Sequence, residues 1–180
     1  MTGDKKLLVI DDRVEYLDAA KKAYESCGST FGYETATFCD SFERGIEEVR
    51  SGRYTHVLTD LFEGEETPKG LLVLMAAKEE GLAARIVTYG TRHSGKLGSI
   101  REGVRGGESR YFPELASEGR ITLAKIGLTS EEIVDKIGSR ELDKYLILGG
   151  MAAKSTEDDW KVIYKRFDLD LAHEHDKMDI

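Results

Sequence analysis

Three carboxylates, a hydroxyl and an ammonium group stand where short apolar runs of this chain come to an end. Leu7-Leu8-Val9-Ile10 runs into Asp11 and Asp12, and Thr55-His56-Val57-Leu58-Thr59 runs into Asp60. Ala84-Arg85-Ile86-Val87 closes on Thr88, and Lys154 follows Gly149-Gly150 just before a helical pattern. If the apolar runs are parallel strands, their last residues emerge together at the carboxyl edge of an open α/β sheet, where such folds place their chemistry. Asp11, Asp12 and Asp60 would then be like charges a few ångströms apart, and a cation or a raised pKa must relieve them. A hard divalent ion suits oxygen donors of this kind, and magnesium in particular takes one or two carboxylates together with water and phosphate oxygens. With Thr88 and Lys154 added, the set describes an oxygen-rich pocket for a metal-bound phosphoryl group.

The elements that must hold these residues are legible from hydrophobic period. After the first strand, residues 13–27 carry Val14, Leu17, Ala20, Ala23 and Tyr24 at three-four spacing, with Asp12 placed to cap a helix and Gly28 to end it. Tyr33 to Phe38 reads as a strand, and Ser41 opens a helix with Phe42, Ile46 and Val49 on one side, closed by Gly52. The Asp60 strand leads through a loop from Glu63 to Lys69 into a helix over 70–80 that Gly81 stops. A fourth strand ends at Thr88. Residues 89–143 are loosely patterned, apart from Thr129 and Glu132, which form a capping box. Tyr145-Leu146-Ile147-Leu148 is the last strand, and Ser155 or Thr156 caps a final helix with Trp160, Ile163, Tyr164 and Phe167 as its apolar stripe.

Strands alternating with helices predict right-handed crossovers and a parallel sheet covered on both faces, a three-layer α/β/α sandwich. The 180 residues, with 40% hydrophobic and 33% charged, suit one domain with a real core. Within it, 5–90 carry the clear pattern, 91–143 form an extended or inserted segment, 144–167 the last strand and helix, and 168–180 a polar tail. The formal charge of -8 argues against nucleic acid and anionic membranes as partners. No stretch reaches secretory or transmembrane length, so a cytoplasmic location is expected. Cys27 and Cys39 stand singly and suggest neither a disulfide framework nor zinc.

The residues at the strand ends carry a resemblance. Leu7-Leu8-Val9-Ile10-Asp11-Asp12, Leu58-Thr59-Asp60-Leu61, Ile86-Val87-Thr88 and a lysine before the final helix resemble a response-regulator receiver domain, covering 5–90 well and 144–167 loosely. The resemblance implies a doubly wound five-stranded sheet of flavodoxin-like order 2-1-3-4-5. It implies that Asp60 is phosphorylated, that Asp11, Asp12, Asp60 and the backbone carbonyl of Phe62 hold Mg2+, and that Thr88 and the lysine contact the phosphoryl oxygens. The lysine is Lys154 or Lys125; Lys154 is favoured because its helix completes the fold. A histidine kinase or phosphotransfer protein would supply the phosphate, and a stand-alone receiver would act through contacts with a downstream protein.

Departures accompany the resemblance. Ser155 follows the lysine where the family has proline, the bulky Tyr89 follows Thr88, and the loop after Asp60 is lengthened by Glu63 to Thr67. Two other readings stand beside the active receiver. One is a degenerate receiver that binds protein without being phosphorylated. The other is a magnesium-dependent phosphohydrolase, disfavoured because Asp11-Asp12 lacks Asp-x-Asp spacing. Asp11 and Asp12 alone would suit a helix cap, and Lys154 alone a solvated helix start. Gly149-Gly150 before Lys154 lacks phosphate-loop spacing. His173 and His175 in a polar tail lack fixed metal geometry, and nothing places His93 at the pocket.

Overall fold

Leu7, Leu8, Val9 and Ile10 are almost wholly buried, and they alternate between two separate cores. Successive side chains of a strand point to opposite faces, so an unbroken apolar run requires cover on both. Leu8 and Ile10 face a cluster with Phe42, Val49, Leu71 and Leu74, whereas Leu7 and Val9 face Leu17, Ala20, Trp160 and Tyr164. These observations come from a computed structural model, which describes residues 4–64, 68–89, 146–149 and 154–178.

The architecture is α/β with an open parallel sheet. Its strands are β1 (Lys5–Ile10), β2 (Tyr33–Cys39), β3 (His56–Asp60), β4 (Ala83–Tyr89) and the short β5 (Leu146–Gly149), in the order β2-β1-β3-β4-β5. The fifth strand is described by its main chain, pairing from Ile86↔Leu146 to Tyr89↔Gly149. Helices α1 (Val14–Cys27) and α4 (Glu157–Met178) cover one face, and α2 (Phe42–Arg50) and α3 (Gly70–Glu79) cover the other. Among the described residues, no helix is long and apolar enough to cross a membrane.

Two expectations from sequence need correction. Val14, assigned to the buried stripe of α1, is 57% exposed, because it lies in the first turn, away from the face that carries Leu17 and Ala20. α1 ends at Gly28 as its spacing predicts, though not in a left-handed turn. Gly28 stays right-handed (φ -56°) and continues into a 3-10 turn over Gly28–Phe31, which Gly32 closes at φ 76°. What position 28 requires is room, since a Cβ there would lie 2.4 Å from the Tyr24 ring.

The second correction concerns the tail. Residues 168–178 continue α4, and their polar side chains tie it to the sheet: Asp168 meets Lys5 at 2.7 Å, and Glu174 meets the buried Arg85 at 2.6 Å. A hydrophobic period cannot register a face held by ion pairs. At its other end α4 follows expectation. Thr156 Oγ1 accepts from the Asp159 amide at 3.2 Å, and Asp159 Oδ2 accepts from the Thr156 amide at 3.0 Å, a reciprocal cap. Trp160, Ile163, Tyr164 and Phe167 are all buried, each stabilising the docked helix by about 2 kcal/mol. The segment 91–143, with Lys125, His93 and the Thr129–Glu132 box, lies outside the described residues.

Candidate functional site

The site begins with the main chain beyond β1. The Asp11 amide donates to the carbonyl of Cys39 at 3.1 Å, extending the β1–β2 ladder by one step and fixing Asp11 at the sheet edge. Its side chain is 1% exposed, and Oδ1 accepts from the Arg13 amide at 3.0 Å, turning the chain into α1. Asp60 ends β3 beside it and is 7% exposed.

Between these two carboxylates lies Lys154. Its Nζ donates to Asp60 Oδ1 at 2.6 Å and to Asp11 Oδ2 at 2.8 Å, and its side chain is 1% exposed. The carbonyl of Lys154 accepts from the buried indole Nε1 of Trp160 at 2.9 Å, so docking of α4 fixes the lysine's main chain. Of the two lysines open from sequence, Lys154 is therefore within hydrogen-bond reach of Asp60. A buried ammonium is tolerated only when paired and hydrogen-bonded, and here two carboxylates provide both.

Asp12 takes another route than a helix cap. Arg13 is the N-cap of α1 without a side-chain bond, and Asp12 Oδ2 instead accepts from the Gly64 amide at 2.7 Å. The carboxylate thereby holds the loop after β3 against the site. That loop is also gripped at its far end, where Lys69 pairs with both Glu43 and Glu63. Asp11, Asp12 and Asp60 each offer an oxygen such that all lie within 4.8 Å of one another.

Among the described residues, three carboxylates against one ammonium leave an excess of negative charge. Burial, reinforced by the Asp60 charge, pushes the Asp11 carboxyl up to about 6 although Lys154 opposes the shift. For Lys154, burial works against the charge, but Asp60 and Asp11 outweigh it and hold the ammonium above its ordinary range. Among the described residues, the hydrogen bonds of the site leave Asp60 Oδ2 and Asp12 Oδ1 unused. The donors are all hard oxygens, which fits Mg2+ better than a soft metal.

Thr88 is the next-to-last residue of β4, and Asp60 pairs in register with Val87, so Thr88 stands one residue further toward the carboxyl edge on the adjoining strand. Tyr89 ends that strand. Phe62 buries its ring among the α2 and α3 side chains two residues beyond Asp60. His173 is exposed on α4, remote in sequence from the strand ends.

Sequence reasoning missed two contributors. Gly70 opens α3 directly against the main chain of Asp60 and Leu61: its amide donates to Leu61 O at 2.9 Å, and a Cβ would lie 2.1 Å from Asp60 O. Only the glycine at the head of an apolar helix hinted at this. Tyr16, whose ring centroid lies 5.1 Å from Lys154 Nζ, gave no signal beyond a helical position. No protein-family model, curated protein or solved structure matches the chain.

Proposed function

We propose that the chain is a phosphorylation-controlled switch of the response-regulator receiver type, a three-layer, doubly wound, flavodoxin-like sandwich in which Asp60 accepts phosphate. The observation that carries this reading is the buried Lys154 ammonium, 2.6 Å from Asp60 and 2.8 Å from Asp11, at one sheet edge with Asp12. A structural ion pair would need one carboxylate; this edge has three, with oxygens to spare.

In this reading an oxygen of Asp60 attacks the phosphorus of the donor. As the new P–O bond forms, the bond to the donor, such as the imidazole nitrogen of a phosphohistidine, breaks. Its electron pair leaves with that nitrogen, which is free to take a proton. Asp11, Asp12, Asp60 and the Phe62 carbonyl would hold Mg2+, which when bound neutralises charge on the transferring group. Lys154 supplies a second positive charge on the side of Asp60 Oδ1. Thr88 would turn its hydroxyl to the new phosphoryl group and carry the change to the surface after β4. A histidine kinase or phosphotransfer protein is the proposed donor, a downstream protein the proposed reader, and the cytoplasm the proposed location.

The test is binding of beryllofluoride, a phosphate mimic. It should require Mg2+ and vanish in Asp60→Asn. If the wild-type chain takes up neither beryllofluoride nor phosphate, the degenerate binding module replaces this reading. Repeated turnover of a phosphate ester would favour the phosphohydrolase.

A further inference from the structure

An ammonium group carries three N–H bonds, and Asp60 and Asp11 accept two of those of Lys154. Its remaining surroundings include the Tyr16 ring, whose centroid is 5.1 Å from Nζ. That ring is 9% exposed and belongs to the first turn of α1, the same turn that the Asp11 carboxylate opens. It is fixed from outside: Arg13 NH1 donates to Tyr16 Oη at 3.2 Å, with the guanidinium 5.5 Å from the ring centroid.

We propose that Tyr16 is the positioning residue of the site, its π face holding the Lys154 ammonium between Asp60 and Asp11 and shielding it from water. The proposal rests on the reading of Lys154 as the phosphoryl contact and adds what keeps that contact in place. A ring suits the task better than a third oxygen. Another carboxylate or carbonyl would bind the last N–H in a directional hydrogen bond and deepen the burial of charge. An aromatic face attracts the cation without such a bond, so the ammonium can turn an N–H toward a phosphoryl oxygen. Because Tyr16 and the Asp11 turn lie on one stretch of chain, the acidic and aromatic walls of the lysine's pocket move together.

The experiment uses the full chain and three substitutions. Tyr16→Phe keeps the ring and loses the Arg13 bond, Tyr16→Leu keeps much of the volume and loses the π face, and Tyr16→Ala loses both. The first readout is water exchange of the Lys154 ammonium protons by 15N NMR, the signal being identified by its loss in Lys154→Arg. Tyr16→Phe should keep the wild-type protection, while Tyr16→Leu and Tyr16→Ala should exchange about tenfold faster. The second is the rate of Asp60 phosphorylation by acetyl phosphate at saturating Mg2+, which should fall about 3- to 10-fold in Tyr16→Leu and recover in Tyr16→Phe. Wild-type exchange and rate in a folded Tyr16→Leu would overturn the proposal, reducing Tyr16 to packing. If the wild-type chain takes no phosphate, the receiver reading fails, and the exchange measurement still decides whether Tyr16 positions the lysine.

Discussion

At the amino edge of the sheet Lys5 meets Asp168 at 2.7 Å and donates to Phe31 O at 3.0 Å, while aromatic rings close around His56. At the carboxyl edge Lys154 faces two buried carboxylates, with a third close by. One helix, α4, joins the two, because Lys154 immediately precedes it and Asp168 lies along it. At the amino edge, among the described residues, one cation meets one anion and the neighbouring histidine is held neutral. At the carboxyl edge, among the described residues, three carboxylates face one ammonium. A protein gains nothing in stability from such an excess, and a bound cation would relieve it.

The comparison is broken most severely by Lys154→Met. Removing the ammonium leaves Asp11 and Asp60 buried without their cation, and the fold should lose about 3–5 kcal/mol in urea denaturation at pH 7. A loss below about 1 kcal/mol would mean that the carboxylates are effectively solvated and that the edges do not differ as described. Next is Gly70→Ala. A methyl group 2.1 Å from Asp60 O must displace main chain, so we expect about 1–3 kcal/mol of destabilisation together with weakened beryllofluoride binding. Unchanged binding would show that the site tolerates movement of the Asp60 backbone.

The pH dependence of stability should separate the edges. Burial, aided by the Lys5 charge and opposed by Asp168, pushes the His56 imidazole down to about 4. Its contribution is therefore present above the unfolded pKa near 6.5 and is lost as pH falls toward 4, by about 2 kcal/mol after allowing for the ring's partial exposure. Asp11 has the opposite sign. A carboxyl raised from 3.8 to about 6 favours the fold at low pH, and that contribution is lost as pH rises across this window. His56→Phe should remove the acid-side loss and expose the Asp11 slope; a profile identical to wild type would refute the assignment. The smallest effect is expected from Tyr33→Phe. Among the described residues the buried Tyr33 hydroxyl has no hydrogen-bond partner, so removing it should change stability by less than about 0.5 kcal/mol in either direction.

Much of the framework is legible without coordinates because burial on two faces forces unbroken apolar strands, and helices that cover them must repeat every three or four residues. Ser41 caps α2, Thr156 caps α4, and the stripe from Trp160 to Phe167 is buried as its spacing implies. Less legible is whatever depends on polar partners far apart in the chain. The continuation of α4 past Asp168 rests on Lys5 and Arg85, and the role of Asp12 rests on the Gly64 amide, 52 residues away. Neither leaves a local periodic trace.

The sequence by itself determined that Asp11, Asp12, Asp60 and Thr88 belong to strand ends, because a strand's apolar run and its polar terminus are local facts. Only the tertiary structure decided that Lys154 lies between Asp11 and Asp60, with Trp160 fixing its main chain and Tyr16 beside it. A lysine's pairing is set by which distant carboxylates the fold brings within about 3 Å of it, and spacing along the chain does not encode that distance.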